Sequence, residues 1–247
     1  MGNIELLKNP KVAIVGTRKP SQYSKNIAYS LSSLLSKNGL VVVSGGAIGI
    51  DIEAHRGAFP NTISIMANSL DKIYPKINRE TIEMMGKDAL LLSEYEMNID
   101  AHQKRFIHRN RLIVALSQIV VVVEADLDSG SSQTMRIARE LGKPIYVIPH
   151  RIGESGATNL YIQNGFAKAI FNLEEFAENL ASLLGVEKVR SETGANSDTK
   201  SSVVDEVLNF CRSSPTYEEA FQKFGDRLFE YEIEGHIQVV NGVVVLS

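Results

Sequence analysis

The chain has 247 residues, 44% of them hydrophobic and 22% charged, and a formal net charge of −3. This mix excludes a disordered, collagen-like or disulfide-scaffold chain. The charge excludes nucleic-acid binding by bulk basicity, so any such site must be a local patch. The single cysteine, Cys211, allows no internal disulfide and fits a reducing compartment, and a cytoplasmic location is expected. No apolar run reaches about 18 residues, so no membrane contact is expected, and residues 1–10 lack the layout of a secretory signal.

The elements alternate in chain order. An apolar run at 12–15 is closed by Gly16. Residues 24–37 place Ile27, Leu31, Leu34 and Leu35 at helical spacing, with Gly39 as a stop signal. Further apolar runs lie at 40–43, 62–67, 89–92, 119–123 and 144–148, and a helical pattern covers 131–141. The run at 119–123 is the most β-branched, which predicts a central strand. Runs that are apolar throughout predict strands covered on both faces. Their alternation with helices predicts a Rossmann-like α/β fold with a doubly wound, mostly parallel sheet. Ligands of such sheets bind beyond the carboxyl ends of the strands.

Residues 186–202 are small and polar and read as a linker. They separate an expected first domain, 1–185, from a second, 203–247. The second holds eight acids and three bases, a net of −5, and the linker is neutral, which leaves the body at +2. Within it, 202–212, 215–224 and 226–234 read as helices, and 236–240 and 243–246 as a hairpin around Asn241-Gly242. Three helices and a hairpin form a winged-helix-like pattern.

Several segments could carry chemistry. Gly16-Thr17-Arg18 ends the first strand, where a guanidinium suits a phosphate; Arg18 could equally pair with a surface carboxylate. Ser44-Gly45-Gly46-Ala47-Ile48-Gly49-Ile50-Asp51 is a glycine-rich strand-to-helix turn able to bring backbone N–H groups to an anion, though tight strand–helix packing explains such glycines as well. It is neither GxGxxG nor a phosphate-binding loop with lysine, which disfavours triphosphate hydrolysis. Asp51 and His55 share a helix face and suit orientation and capping rather than catalysis. The densest basic stretch, 102–111, sets Lys104, Arg105, Arg109 and Arg111 around Phe106, a pattern that holds a phosphodiester chain and stacks a base. A solvated helix start with Phe106 in the core is the alternative there, and one of Arg109 and Arg111 is open to a structural role. Ser129-Gly130-Ser131 opens another helix and is a second anion site. The acids of 124–134 suit either a general base or, more commonly, helix capping. The five histidines and one cysteine show no paired ligand spacing, and no GxSxG elbow occurs.

Taken in order, these stretches resemble the DNA-processing protein A family (DprA, also called Smf). The resemblance rests on Val12 to Arg18, Ser44 to Asp51 with Ala54-His55, Leu70-Asp71 with Tyr74-Pro75, and Leu92-Ser93-Glu94-Tyr95. Phe106 with Arg109-Asn110-Arg111, Ser129-Gly130-Ser131, and Thr158-Asn159 with Gly165 complete it. It covers about residues 11–170. It implies a non-catalytic, cofactor-free Rossmann-like domain that binds single-stranded DNA, dimerises, protects incoming DNA and loads the RecA recombinase during natural transformation. Arg18 would contact phosphate, with Gly16 and Thr17 beside it. Ser44, Gly45 and Gly46 would form the backbone cradle, and Phe106 would stack on a base with Lys104 or Arg105 supplying charge. Asn110 and Arg111 would support the pocket.

The chain departs from the family at the glycine turn, commonly SGLARGID, where Gly46 and Ile48 stand for leucine and arginine. The N-terminal helical domain of many members has no counterpart here, since the first strand begins about eleven residues in, and truncation is one explanation. The acidic third helix of the C-terminal module would be repelled by duplex phosphates, so protein contact is expected of that module. Two competing functions are weighed. A nucleotide-binding N-glycoside hydrolase on a related fold would carry PGGxGTxxE, whereas 124–134 read EADLDSGSSQT. A transcription regulator would need a basic recognition helix.

Overall fold

The computed structural model describes residues 1–186 and, beyond them, 207, 210–211, 214–225, 228, 231, 237–240 and 242–246. The chain divides into two compact units, Met1–Lys188 and Val189–Ser247.

In the first unit a seven-stranded sheet runs β1 (Lys11–Val15), β2 (Val41–Ser44), β3 (Thr62–Ile65), β4 (Leu90–Leu92), β5 (Ile119–Val122), β6 (Ile145–Val147) and β7 (Lys168–Ala169). The spatial order is β4-β3-β2-β1-β5-β6-β7, and every neighbouring pair is parallel. The helices are α1 (Gln22–Lys37), α2 (Ile50–Ala58), α3 (Arg79–Asp88), α4 (Gln103–Leu116), α5 (Gly130–Glu140), α6 (Gly156–Gln163) and α7 (Leu173–Leu183).

Strand alternation builds two cores. Val12, Ile14, Val42 and Val121 point to one face, where Leu31 and Leu35 of α1, Ala54 of α2 and Leu180 of α7 cover them. Ala13, Val15, Val43 and Val122 point to the other, against Ile82 of α3, Ile113 of α4, Met135 of α5 and Ala157 of α6. The central strands β1, β2 and β5 are buried at every position, which is why their sequences are apolar without alternation. The fold is therefore α/β and Rossmann-like, with all seven strands parallel.

The strand order reverses between β1 and β5. Successive connections carry the chain outward from β1 to β4, and it returns to lay β5 on the free side of β1. The loops leaving these two neighbours diverge to opposite faces and open a crevice, the place where such sheets bind ligands. Val15 pairs with Val122, so the two loops start level. Thr17 N–H donates to the Glu124 carbonyl (2.8 Å) and Ile50 N–H to the Thr17 carbonyl (3.2 Å), tying the β1, β2 and β5 loops together. Among the described residues no helix is long and apolar enough to cross a membrane.

In the second unit, α8 (Tyr217–Phe224) starts at Thr216, whose hydroxyl accepts from the Glu219 N–H while the Glu219 carboxylate accepts from the Thr216 N–H. β8 (Ile237–Val240) and β9 (Val243–Leu246) pair antiparallel with Val240 opposite Val243, the register of a hairpin. The expected linker at 186–202 apart from Val186, and the expected helices at 202–212 and 226–234 apart from single positions, lie outside the described residues.

Candidate nucleic-acid interface

A cavity of about 440 Å³ occupies the β1/β5 crevice, within the range of small-molecule and nucleotide sites. Its walls come from four segments: Gly16 to Lys19 after β1, Ala47 and Asp51 from the glycine turn, one face of α4, and Asp128 to Thr134 at the start of α5.

Arg18 is exposed and makes no ion pair among the described residues. Its guanidinium lies over the Phe106 ring, 4.7 Å from the centroid. A contact of this kind at an exposed site is worth only about 0.5–1 kcal/mol, so the cation remains available. Thr17 also borders the cavity, and its hydroxyl accepts from the Lys19 N–H (3.2 Å).

Arg109 behaves differently. It is 3% exposed, and its Nη1 donates to the carbonyls of Gly45 (2.5 Å) and Ile65 while Nε donates to Asn110 Oδ1 (3.2 Å). Burial lowers its pKa to about 10, Asp51 acting against the shift and Arg18 with it, so it is charged at neutral pH. Gly45 is required here, because a Cβ on it would run into this guanidinium. Arg109 thus pins the glycine turn to β3 while closing the floor of the cavity.

Asp51 is buried close enough for Arg109 to act on its charge. Burial raises its pKa, and Arg109 first, then the Ala47 N–H and Arg18, pull against that rise. Gly49, in front of α2, adopts φ 88°, and a Cβ there would meet the Thr17 carbonyl. Behind Asp51, His55 Nδ1 lies 2.7 Å from Thr62 Oγ1. The Thr62 hydroxyl gives its one proton to the Val42 carbonyl (2.9 Å), so His55 Nδ1 must donate and Nε2 carries the lone pair. That Nε2 is buried without a partner among the described residues, and burial first, then Arg109, lowers the His55 pKa to about 3.

The fourth wall is the α5 N-terminus. Ser129 and Ser132 cap it reciprocally: Ser129 Oγ accepts from the Ser132 N–H and Ser132 Oγ from the Ser129 N–H, both 3.1 Å. Gly130 and Ser131 in the first turn border the cavity, where helix N–H groups and the dipole favour an anion.

The structure brings Gly16, Thr17, Arg18, Phe106, Arg109, Asn110, Ser129, Gly130 and Ser131 together around one cavity. Ser44, Gly45 and Gly46 lie beneath it. Ser44 Oγ donates to the Ile14 carbonyl (2.6 Å), and the Gly45 and Gly46 carbonyls accept from Arg109 and from Asn78 Nδ2 (3.2 Å). Lys104, Arg105 and Arg111 lie outside the cavity lining. Lys104 is exposed, the Arg105 guanidinium donates to the Asp100 carbonyl and lies over Tyr95 at 5.2 Å, and Arg111 pairs with Glu94. Sequence reasoning missed Gln103 and Ile107, which line the cavity with Phe106 and Asn110. Their spacing i, i+3, i+4, i+7 is the signal that selects this face of α4. Among the described residues no group of histidine, cysteine and carboxylate side chains could hold a metal ion.

Comparison with known proteins gives a consistent picture. Residues 1–181 match the family model of DNA recombination-mediator protein A. DNA processing protein DprA of Streptococcus pneumoniae is 41% identical over 170 residues, 66% of this chain and 60% of that protein, so the chain spans about three-fifths of its length. A structure of DNA processing protein A from Helicobacter pylori, which concerns that protein's single-stranded DNA binding mode, superposes with a TM-score of 0.73 at 44% identity, covering 74% of this chain and 86% of that one. The X-ray structure of the S. pneumoniae protein gives a TM-score of 0.67 at 38% identity, covering 75% of this chain and 65% of that one. On the model match and these identities, the chain belongs to the DNA recombination-mediator protein A family.

Proposed function

We propose that this chain binds single-stranded DNA in the β1/β5 cleft without catalysing a reaction on it. One observation carries the reading: Arg18, a guanidinium with no ion pair among the described residues, rests on Phe106 at a cavity whose opposite wall is a helix N-terminus. Binding exchanges the Arg18–Phe106 contact, about 0.5–1 kcal/mol, for two better ones. A charge-assisted hydrogen bond to phosphate contributes about 1.5–3 kcal/mol, and a base on the freed ring about 1–3 kcal/mol. The first turn of α5 offers a second phosphate position. The H. pylori relative, whose structure concerns single-stranded DNA binding, supports the same ligand here.

The wider role follows from family membership. The chain would protect incoming DNA and load the RecA recombinase onto it during natural transformation, as a cytoplasmic homodimer. Its acidic C-terminal unit would contact protein rather than duplex DNA.

Two carboxylates line the cavity, the buried Asp51 and the exposed Asp128, so a nucleotide N-glycoside hydrolase is the alternative that the experiment must separate from strand binding. The test is a competition in which unlabelled single strand, duplex or nucleoside monophosphate displaces a labelled single strand, with free base assayed in parallel. Single strand should compete best and no base should be released. Equal competition by duplex, or turnover of the monophosphate, contradicts the reading.

A further inference from the structure

Phe106 is not an isolated ring. Tyr74 lies beside it, centroids 5.6 Å apart and planes inclined at 46°, and Tyr74 is 46% exposed. Tyr74 lies in the loop after β3 and Phe106 in the first turn of α4, yet the segment leading into α4 is fastened to the Tyr74 loop. Both carboxylate oxygens of Asp71 accept from the Asn98 N–H (3.2 Å each), and Ser69 N–H donates to the Ile99 carbonyl (3.0 Å). Lys72 Nζ bridges the Asn98 carbonyl (3.0 Å) and Asp100 (2.8 Å). At its far end the Tyr74 loop is tied to the glycine turn by Asn78. The segment held this way leads directly into α4, so Tyr74 and Phe106 are mounted on one fixed platform.

Charge gives this platform a direction. On the Tyr74 side, Lys76 and Lys104 are exposed and make no ion pair among the described residues. Of the acids on that side, Glu94 is paired with Arg111 and Asp100 with Lys72, Asp71 accepts from the Asn98 N–H with Lys72 beside it, and Glu96 is exposed. On the β5 side, Asp126 and Asp128 are exposed beside the cavity and have no paired cation among the described residues. A phosphodiester chain is repelled by that acidic rim and attracted across the other.

We propose that Tyr74 is a second base-stacking residue, and that the strand leaves the cleft across Phe106 and then Tyr74, away from the β5 rim. The inference rests on Arg18 and Phe106 holding a nucleotide of the strand.

The test measures affinities of the full chain for thymidine monophosphate, whose single base can occupy one stacking position, and for an oligothymidylate that can occupy both. Tyr74→Ala and Tyr74→Leu should weaken the long strand by about five- to a hundredfold, the loss of one base stack. They should leave the monophosphate unchanged, and Tyr74→Phe should retain wild-type affinity for both. Recovery in Tyr74→Leu, or an equal loss on the monophosphate, would show Tyr74 to be only a buttress for Phe106 and overturn the proposal. Wild-type affinity in Tyr74→Ala beside a loss in Phe106→Ala would overturn it while leaving the cleft reading intact. If Arg18→Ala and Phe106→Ala also bind normally, the cleft reading fails and the inference with it.

Discussion

His55 shows how a buried side chain beneath a binding site sets its acid tolerance. Its Nδ1–H is fixed on Thr62, and its Nε2 faces protein with no acceptor. Protonation would place an unpaired cation close to Arg109. The folded-state pKa, about 3, lies below the ordinary 6.5, so the unfolded chain binds this proton more readily. Stability is therefore fully present above pH 6.5 and is lost as pH falls toward 3. Asp51, with its raised pKa, works in the opposite sense, gaining relative stability at low pH. Thermal melting followed from neutral pH into acid should show a steep loss for the wild type and a shallower one for His55→Leu. Parallel curves would mean that other groups set the acid limit.

At the scale of elements, the glycine turn and α4 act as one unit through Arg109. A methyl group at Gly45 meets the guanidinium that anchors the turn to β3. Gly45→Ala should therefore cost about 1–3 kcal/mol, the usual cost of overpacking, seen as a lower urea midpoint with an unchanged slope. A wild-type midpoint would show that Arg109 can relocate freely. The same unit explains what the sequence could and could not reveal. The strands were legible because buried β-branched runs such as residues 119–122 carry no polar alternation. β7 was not, since it has two residues and little burial. On α4, cation density pointed to Lys104, Arg105 and Arg111, but density does not say which cations are already occupied. Glu94, 17 residues before Arg111, and the Asp100 carbonyl, five residues before Arg105, take two of them. The helical period through Phe106 would have chosen Gln103 over Lys104. Arg109 and Arg111 are alike as letters. Only the register of α4 against the glycine turn buries one and leaves the other at the surface.

Across the whole molecule, a chain of net charge −3 presents a cation at the one place where the sheet order reverses. The fold supplies the crevice, the α5 N-terminus supplies partial charge, and Arg18 supplies a full one. The glycine turn lacks a cation at Ile48, so the loss of Arg18 leaves little to replace it. The most direct test follows single-strand affinity across a salt series for wild type, Arg18→Ala and Phe106→Ala. Each phosphate neutralised contributes about 0.7 to the slope of log affinity against log salt. Arg18→Ala should bind more weakly with a slope shallower by about that amount. Phe106→Ala should bind more weakly with the wild-type slope. Wild-type affinity and slope in Arg18→Ala would contradict the placement of the strand in this cleft.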